Sequence, residues 1–73
     1  MTTYTIVKEL RDSIGDVIDS EEMDTFKSEG KARTKAIRLN DFESDKSITY
    51  CILIESYLQG CIAGYDYIEH DEL

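Results

Sequence analysis

Few side chains in this sequence are of a type that does chemistry. The one histidine, His70, stands in an acidic stretch with Asp66 and Glu72 close by. A single imidazole among scattered carboxylates lacks the spaced ligand set of a metal site, and no nucleophile–base pair stands out. Cys51 and Cys61 form neither a CxxC knuckle nor a disulfide framework, and are expected to be reduced, structural thiols. A hairpin turn near Ser56–Gln59 would set Cys61 opposite Ile54 and Cys51 opposite Gly64, so the two would not be cross-strand partners. The carboxylate pairs Glu21/Glu22 and Asp71/Glu72 lack any sign of the positioned geometry that general acid–base catalysis needs, and read as solvated charges. Asp41 to Asp45 lacks the glycine and the closing glutamate of a calcium loop. Gly15, Gly30, Gly60 and Gly64 make no phosphate-binding fingerprint. The expectation is a protein without catalytic residues, metal or cofactor.

What the carboxylates can do is bind. Asp16, Asp19, Glu21, Glu22 and Asp24 put five acids in nine residues. Asp66, Glu69, Asp71, Glu72 and the terminal carboxylate form a second block. An even spread of acids would leave only about three in an interface patch of ~800 Å². Competing with a nucleic acid that makes ~6–10 phosphate contacts therefore requires clustering, which the two blocks supply if they adjoin. Tyr65 and Tyr67 fall on one strand face with Asp66 on the other, and tyrosine is enriched at binding hot spots. The candidate partner-binding set is thus Asp16, Asp19, Glu21, Glu22, Asp24, Tyr65, Asp66, Tyr67, Glu69, Asp71 and Glu72. A plainer reading of the same residues is a solubilising surface with rings that cover a thin core.

The chain has 73 residues with 16 Asp or Glu against 8 Lys or Arg, for a formal net charge of −8. That length supports one domain, 1–73, with 69–73 an acidic tail open to fraying. The acid excess argues against direct contact with nucleic acid or an anionic membrane, both of which select basic faces. The longest fully apolar run, Tyr50 to Ile54, is far short of the ~20 residues of a membrane helix. The N-terminus lacks the basic and apolar regions of a signal peptide, so a cytoplasmic location is expected. The closing His70–Leu73 spells an endoplasmic-reticulum retention signal, which without such a delivery signal reads as coincidence.

The elements that must position these residues follow from the patterning. Residues 47–55 and 60–69 are rich in β-branched and aromatic types and read as a hairpin, with Ile48, Tyr50, Ile52 and Ile54 on one face. Ser28 is a helix N-cap, and Ala32, Ala36 and Leu39 recur at helical spacing, widened by Ile37. Lys31, Lys35 and Arg38 then share a solvent-facing side. The first third is ambiguous. As a helix, Ile6, Val7, Leu10, Ile14, Val17 and Ile18 make one stripe. As strands, Thr3–Leu10 and Val17–Phe26 flank a turn at Asp12–Asp16, the preferred reading because Gly15 weakens a helix and Asp/Ser/Gly is turn chemistry. The expected fold is α+β: hairpin–helix–hairpin, a four-stranded, mainly antiparallel sheet with one helix on one face. The alternative has an N-terminal amphipathic helix in place of the first hairpin.

The run Phe26-x-Ser28-x-x-x-Ala32-x-x-x-Ala36-x-x-Leu39, between a glycine-turn hairpin and a Tyr/Ile hairpin, resembles small accessory proteins of tailed phages. Anti-CRISPR and anti-restriction inhibitors are similar in size, acidity and strand–helix order. The likeness is one of layout and composition over most of the chain and transfers no functional positions. It implies a stoichiometric inhibitor of a host defence or nucleic-acid-processing complex, with an acidic face occupying a basic surface of a protein partner. The alternative is a small homodimeric assembly protein that pairs through a strand edge or sheet face.

Overall fold

The computed structural model describes all 73 residues. Five main elements follow in order: β1 (Thr2–Arg11), β2 (Val17–Phe26), α1 (Glu29–Phe42), β3 (Ile48–Leu58) and β4 (Cys61–Ile68). The four strands form one open sheet in the order β2-β1-β3-β4, antiparallel at every pairing. This is the hairpin–helix–hairpin α+β arrangement, and the first third is a hairpin rather than a helix.

Asp12 decides that outcome locally. Its carboxylate accepts from the backbone N–H of Ile14 (3.0 Å) and of Asp16 (2.9 Å), and Gly15 sits at φ 92. Only glycine enters that region at no steric cost, so the chain reverses there instead of continuing as a helix. The second hairpin turns later than its sequence suggests. Ser56, Tyr57 and Leu58 stay in β3, and the reversal is made by Gln59 (φ 53) and Gly60 (φ 82). Two central residues at positive φ are what a two-residue turn needs to match the strand twist. Cys61 therefore lies opposite Leu58, not Ile54, and Asp66 opposite Ile54. The two thiols are indeed not partners: Cys51 is buried on β3 and Cys61 exposed on β4.

The helix covers one sheet face. Ser28 caps its start, accepting from the Lys31 N–H at 3.4 Å. Ala32 and Ala36 are fully buried against Ile6, Tyr50, Ile52 and Ile68, with Tyr4, Phe26, Leu39, Ile48, Ile54 and Leu73 at the rim. Alanines at the contact let the helix axis sit close to the sheet. Ile37 does not join this stripe; it is 42 % exposed, because it follows Ala36 by one residue and turns toward solvent. The far end of the helix is tied to β3 where β4 runs out. The Asn40 side-chain amide donates to the Tyr50 carbonyl (3.0 Å) and accepts from the Tyr50 N–H (2.9 Å), as a neighbouring strand would. Tyr50 in turn donates its hydroxyl to Glu43 at 2.7 Å.

Only nine residues are buried, and the molecule is long for its mass, 41 × 23 × 18 Å with a radius of gyration of 12.7 Å. A compact chain of this length would have about 11 Å. Strands of ten and eleven residues at ~3.4 Å each explain the elongation. The acidic tail closes as one 3₁₀ turn, His70–Glu72, in which Glu69 and Glu72 cap each other and Leu73 returns to the core rim. No helix is long and apolar enough to cross a membrane.

Candidate interaction surface

The sheet face away from α1 is uncovered, yet its middle is dry. Thr5, Val7 and Cys51 are buried there because neighbouring strands place longer side chains around them. Register sets these in rows across the sheet: Thr25, Thr5, Leu53 and Tyr67 in one, Glu22, Val7 and Cys51 in the next, then Ser20, Glu9 and Thr49. The Thr5 and Thr25 hydroxyls meet at 2.9 Å. Arg11 donates to Thr49 Oγ1 (3.1 Å) and bridges Glu9 (3.3 Å) and, at 4.0 Å, Glu69 beyond the end of β4. The cation on this face is thus already occupied by two carboxylates.

That arrangement sets the chemistry of the thiol and phenol beneath it. Burial pushes the Cys51 thiol up to about 12, and Glu9, by charge and hydrogen bond, and Glu69 push the same way against Arg11. Cys51 is therefore inert packing, not a nucleophile. Burial raises the Tyr67 phenol as well, helped by Cys51, Tyr65, Glu9 and Glu22. Tyr65 and Tyr67 stand edge to face with ring centroids 6.2 Å apart, 72 % and 45 % exposed.

The structure brings together only part of the expected binding set. β2 and β4 are the two outer strands, so the β2 acids and Asp66 lie at opposite edges, three strand spacings or ~14 Å apart. The blocks approach only at one end, where Arg11 holds the Gly15 carbonyl (2.8 Å) beside Asp16 and reaches Glu69 at 4.0 Å. Along β2, Glu22 joins the open face opposite Val7, whereas Asp19 and Glu21 pair with Leu10 and Lys8 on the helix side. Asp19 and Glu21 there line a hollow of about 220 Å³ with Lys8, Leu10, Ser20 and Ile48. The ladder skips a residue at two places, leaving Met23 and Asp24 both opposite Ile6 and Ile18 unpaired. Asp16 closes the first turn. On the other edge, Tyr65 and Tyr67 face the open side with Asp66 behind, and Glu69, Asp71 and Glu72 belong to the 3₁₀ turn.

Pairing within the chain separates the acids into two groups. Three ion pairs form, using Glu9, Glu29 and Glu69. None of the five carboxylates of the first block takes part, and all five are exposed. Lys31, Lys35 and Arg38 are likewise without ion pairs and line a shallow hollow of about 370 Å³ along the flank of α1, with Gly30, Thr34 and Phe26 at the end of β2. The molecule is therefore electrically two-sided, acidic along β2 and the open face and basic outside the helix.

Glu9, Arg11 and Glu22 belong to the open face, yet sequence reasoning did not group them. The signal was present as the alternation of β1, in which Thr3, Thr5, Val7, Glu9 and Arg11 fall on the face opposite Tyr4, Ile6 and Leu10. No group of three His, Cys, Asp or Glu side chains is disposed to hold a metal ion. Comparison of the chain with protein-family models, curated proteins and solved structures returns no match.

Proposed function

We propose that this protein is a non-enzymatic acidic binding protein that inhibits a nucleic-acid-processing or defence complex of a bacterial host by occupying a basic surface. The observation that supports this reading is the exposed edge strand β2 and the turn before it, whose block of five carboxylates is left without a single ion pair inside the chain. From Asp16 to Asp24 these charges span ~27 Å of extended backbone, about one per 5–7 Å. A nucleic-acid strand offers one per ~3.4 Å, so the edge has a charge density of the same order. A groove lined by Lys and Arg would receive it as it receives a phosphate backbone, and the unpaired Glu22 carboxylate extends the negative potential onto the open face. On this reading the protein works in the host cytoplasm. Inhibition is competition for a shared surface and needs no bond to be made or broken. Complementary charge speeds encounter and sets partner choice, and salt weakens both.

The test is capture from bacterial lysate on the tagged protein, washed at low salt and at ~0.5 M salt. The expected result is recovery of a nucleic-acid-binding complex at low salt that is lost at high salt and lost in the variant D19N/E21Q/E22Q/D24N. Recovery that ignores both salt and these four substitutions would sink the proposal.

A further inference from the structure

We infer that β4 is the seam of a homodimer, in which the β4 strands of two copies pair antiparallel and join the two sheets into one of eight strands. The inference does not depend on the basic partner proposed above. Both outer strands present a row of backbone N–H and C=O groups with no neighbour, which is a template for another strand. They differ in what a second copy would meet. Two β2 edges would bring Asp19, Glu21, Glu22 and Asp24 of each chain together, and like charges across a pairing oppose it. β4 carries one charge, Asp66, in eight residues.

A two-fold axis normal to the sheet pairs residues of the same face, which limits the registers. Centred on Asp66, it would set the two Asp66 carboxylates opposite each other. Centred on Tyr65, it sets Asp66 opposite Gly64 of the second copy, and Tyr65 opposite its own counterpart on the open face. Gly64 adjoins a bulge, since Ser56 pairs with Gly64 and Tyr57 with Ile62 and Ala63 is left without a partner on β3. Its φ is not positive and a Cβ there would meet nothing within 4 Å, so the space beside it is open to Asp66 of a second copy. Antiparallel pairing also places the acidic tail of each copy beside the uncharged hairpin tip, Leu58 to Ile62, of the other. The two tails end ~25 Å apart, beyond the reach of screened repulsion at physiological salt. Leu58, Ile62, Tyr65 and Tyr67, all exposed in one copy, then flank the seam.

The decisive experiment is sedimentation equilibrium of the full chain from low micromolar to near-millimolar concentration. The expected result is a reversible dimer in the wild type and a monomer in both Tyr65→Lys and Tyr65→Asp. Either charge would repel its own copy across the two-fold, and Tyr65 is exposed enough for the fold to tolerate both, as far-UV circular dichroism would show. A second measurement fixes the register. In a Cys61→Ser background, Tyr65→Cys should cross-link to a disulfide dimer under mild oxidation, since directly opposed Cβ atoms lie near bridging distance. Glu22→Cys on the other edge should not. A wild type that stays monomeric throughout, or a dimer that persists in both Tyr65 variants, would overturn the inference.

Discussion

Of the two outer strands, β2 bears Asp19, Glu21, Glu22 and Asp24 along ten residues, whereas β4 bears only Asp66 along eight. Both expose the same unpaired backbone groups, so hydrogen-bonding capacity alone cannot tell them apart. Charge can. A row of carboxylates turns away a copy of itself and suits a cationic surface, while a nearly neutral row of Tyr, Ile and small residues accepts another strand. On the two proposals above, one sheet offers its two edges to different partners.

That contrast can be broken most sharply with the two thiols. Cys61 on the β4 edge should react with a thiol reagent in the native protein, and Cys51 only when the sheet opens, a rate ratio on the order of 10³ or more. Stopped-flow labelling reads it directly, and similar rates for both would mean that β4 peels from β3 on its own. Next comes charge. Removing four exposed ion pairs at ~0.5 kcal/mol each should weaken capture of a basic partner about 30-fold when the acids are those of β2. Neutralising Asp66, which lies on the far edge at more than a Debye length from β2, should change it by less than about twofold. Equal losses from the two edges would erase the distinction.

The turns give a smaller and mixed-sign effect. Gly15→Ala and Gly60→Ala should each cost ~1–2 kcal/mol in urea unfolding, since both sit at positive φ. Gln59→Gly should instead stabilise by about 0.5–1 kcal/mol by relieving a side chain held at φ 53. The smallest effect is a slope with pH where the end of the helix meets β3. The Tyr50 phenol, hydrogen-bonded to Glu43, is raised from 10.0 to about 12, and the Glu43 carboxyl is lowered by the same bond. The folded state holds the Tyr50 proton more tightly, so this stability is complete below pH 10 and lost between 10 and 12. The Glu43 contribution is present above its ordinary range and lost as pH falls through its lowered value. Tyr50→Phe should flatten both limbs of the stability–pH curve.

Much of the fold was legible because its signals are local. The Ile48, Tyr50, Ile52 and Ile54 alternation, the Ser28 cap, and the Asp12 to Asp16 turn each announce themselves within a few residues. What could not be read was strand order. Hairpin pairing places β2 beside β1 and β4 beside β3, but nothing in the patterning says that β1 and β3 meet and send the β2 acids and Asp66 to opposite edges. The second turn was misplaced because Ser56 is a turn former by type, and only the pairing of Leu58 with Cys61 reveals that the strand continues past it. The dry centre at Thr5 and Cys51 escaped notice because its cover comes from neighbouring strands rather than from a helix.

The β1–β3 seam joins residues 38 to 54 positions apart, from Leu10 with Ile48 to Thr2 with Ser56. Each hairpin can close on its own in microseconds, and the helix can wind as quickly. Neither hairpin has a core until the other arrives, since two-stranded ribbons are marginal in water. Folding must therefore wait on one long-range docking event between the two halves, a search whose cost is set by the intervening chain. A longer link between Phe42 and Ile48, which leaves the helix and both hairpins intact, would change how fast the molecule assembles more than how stable it finally is.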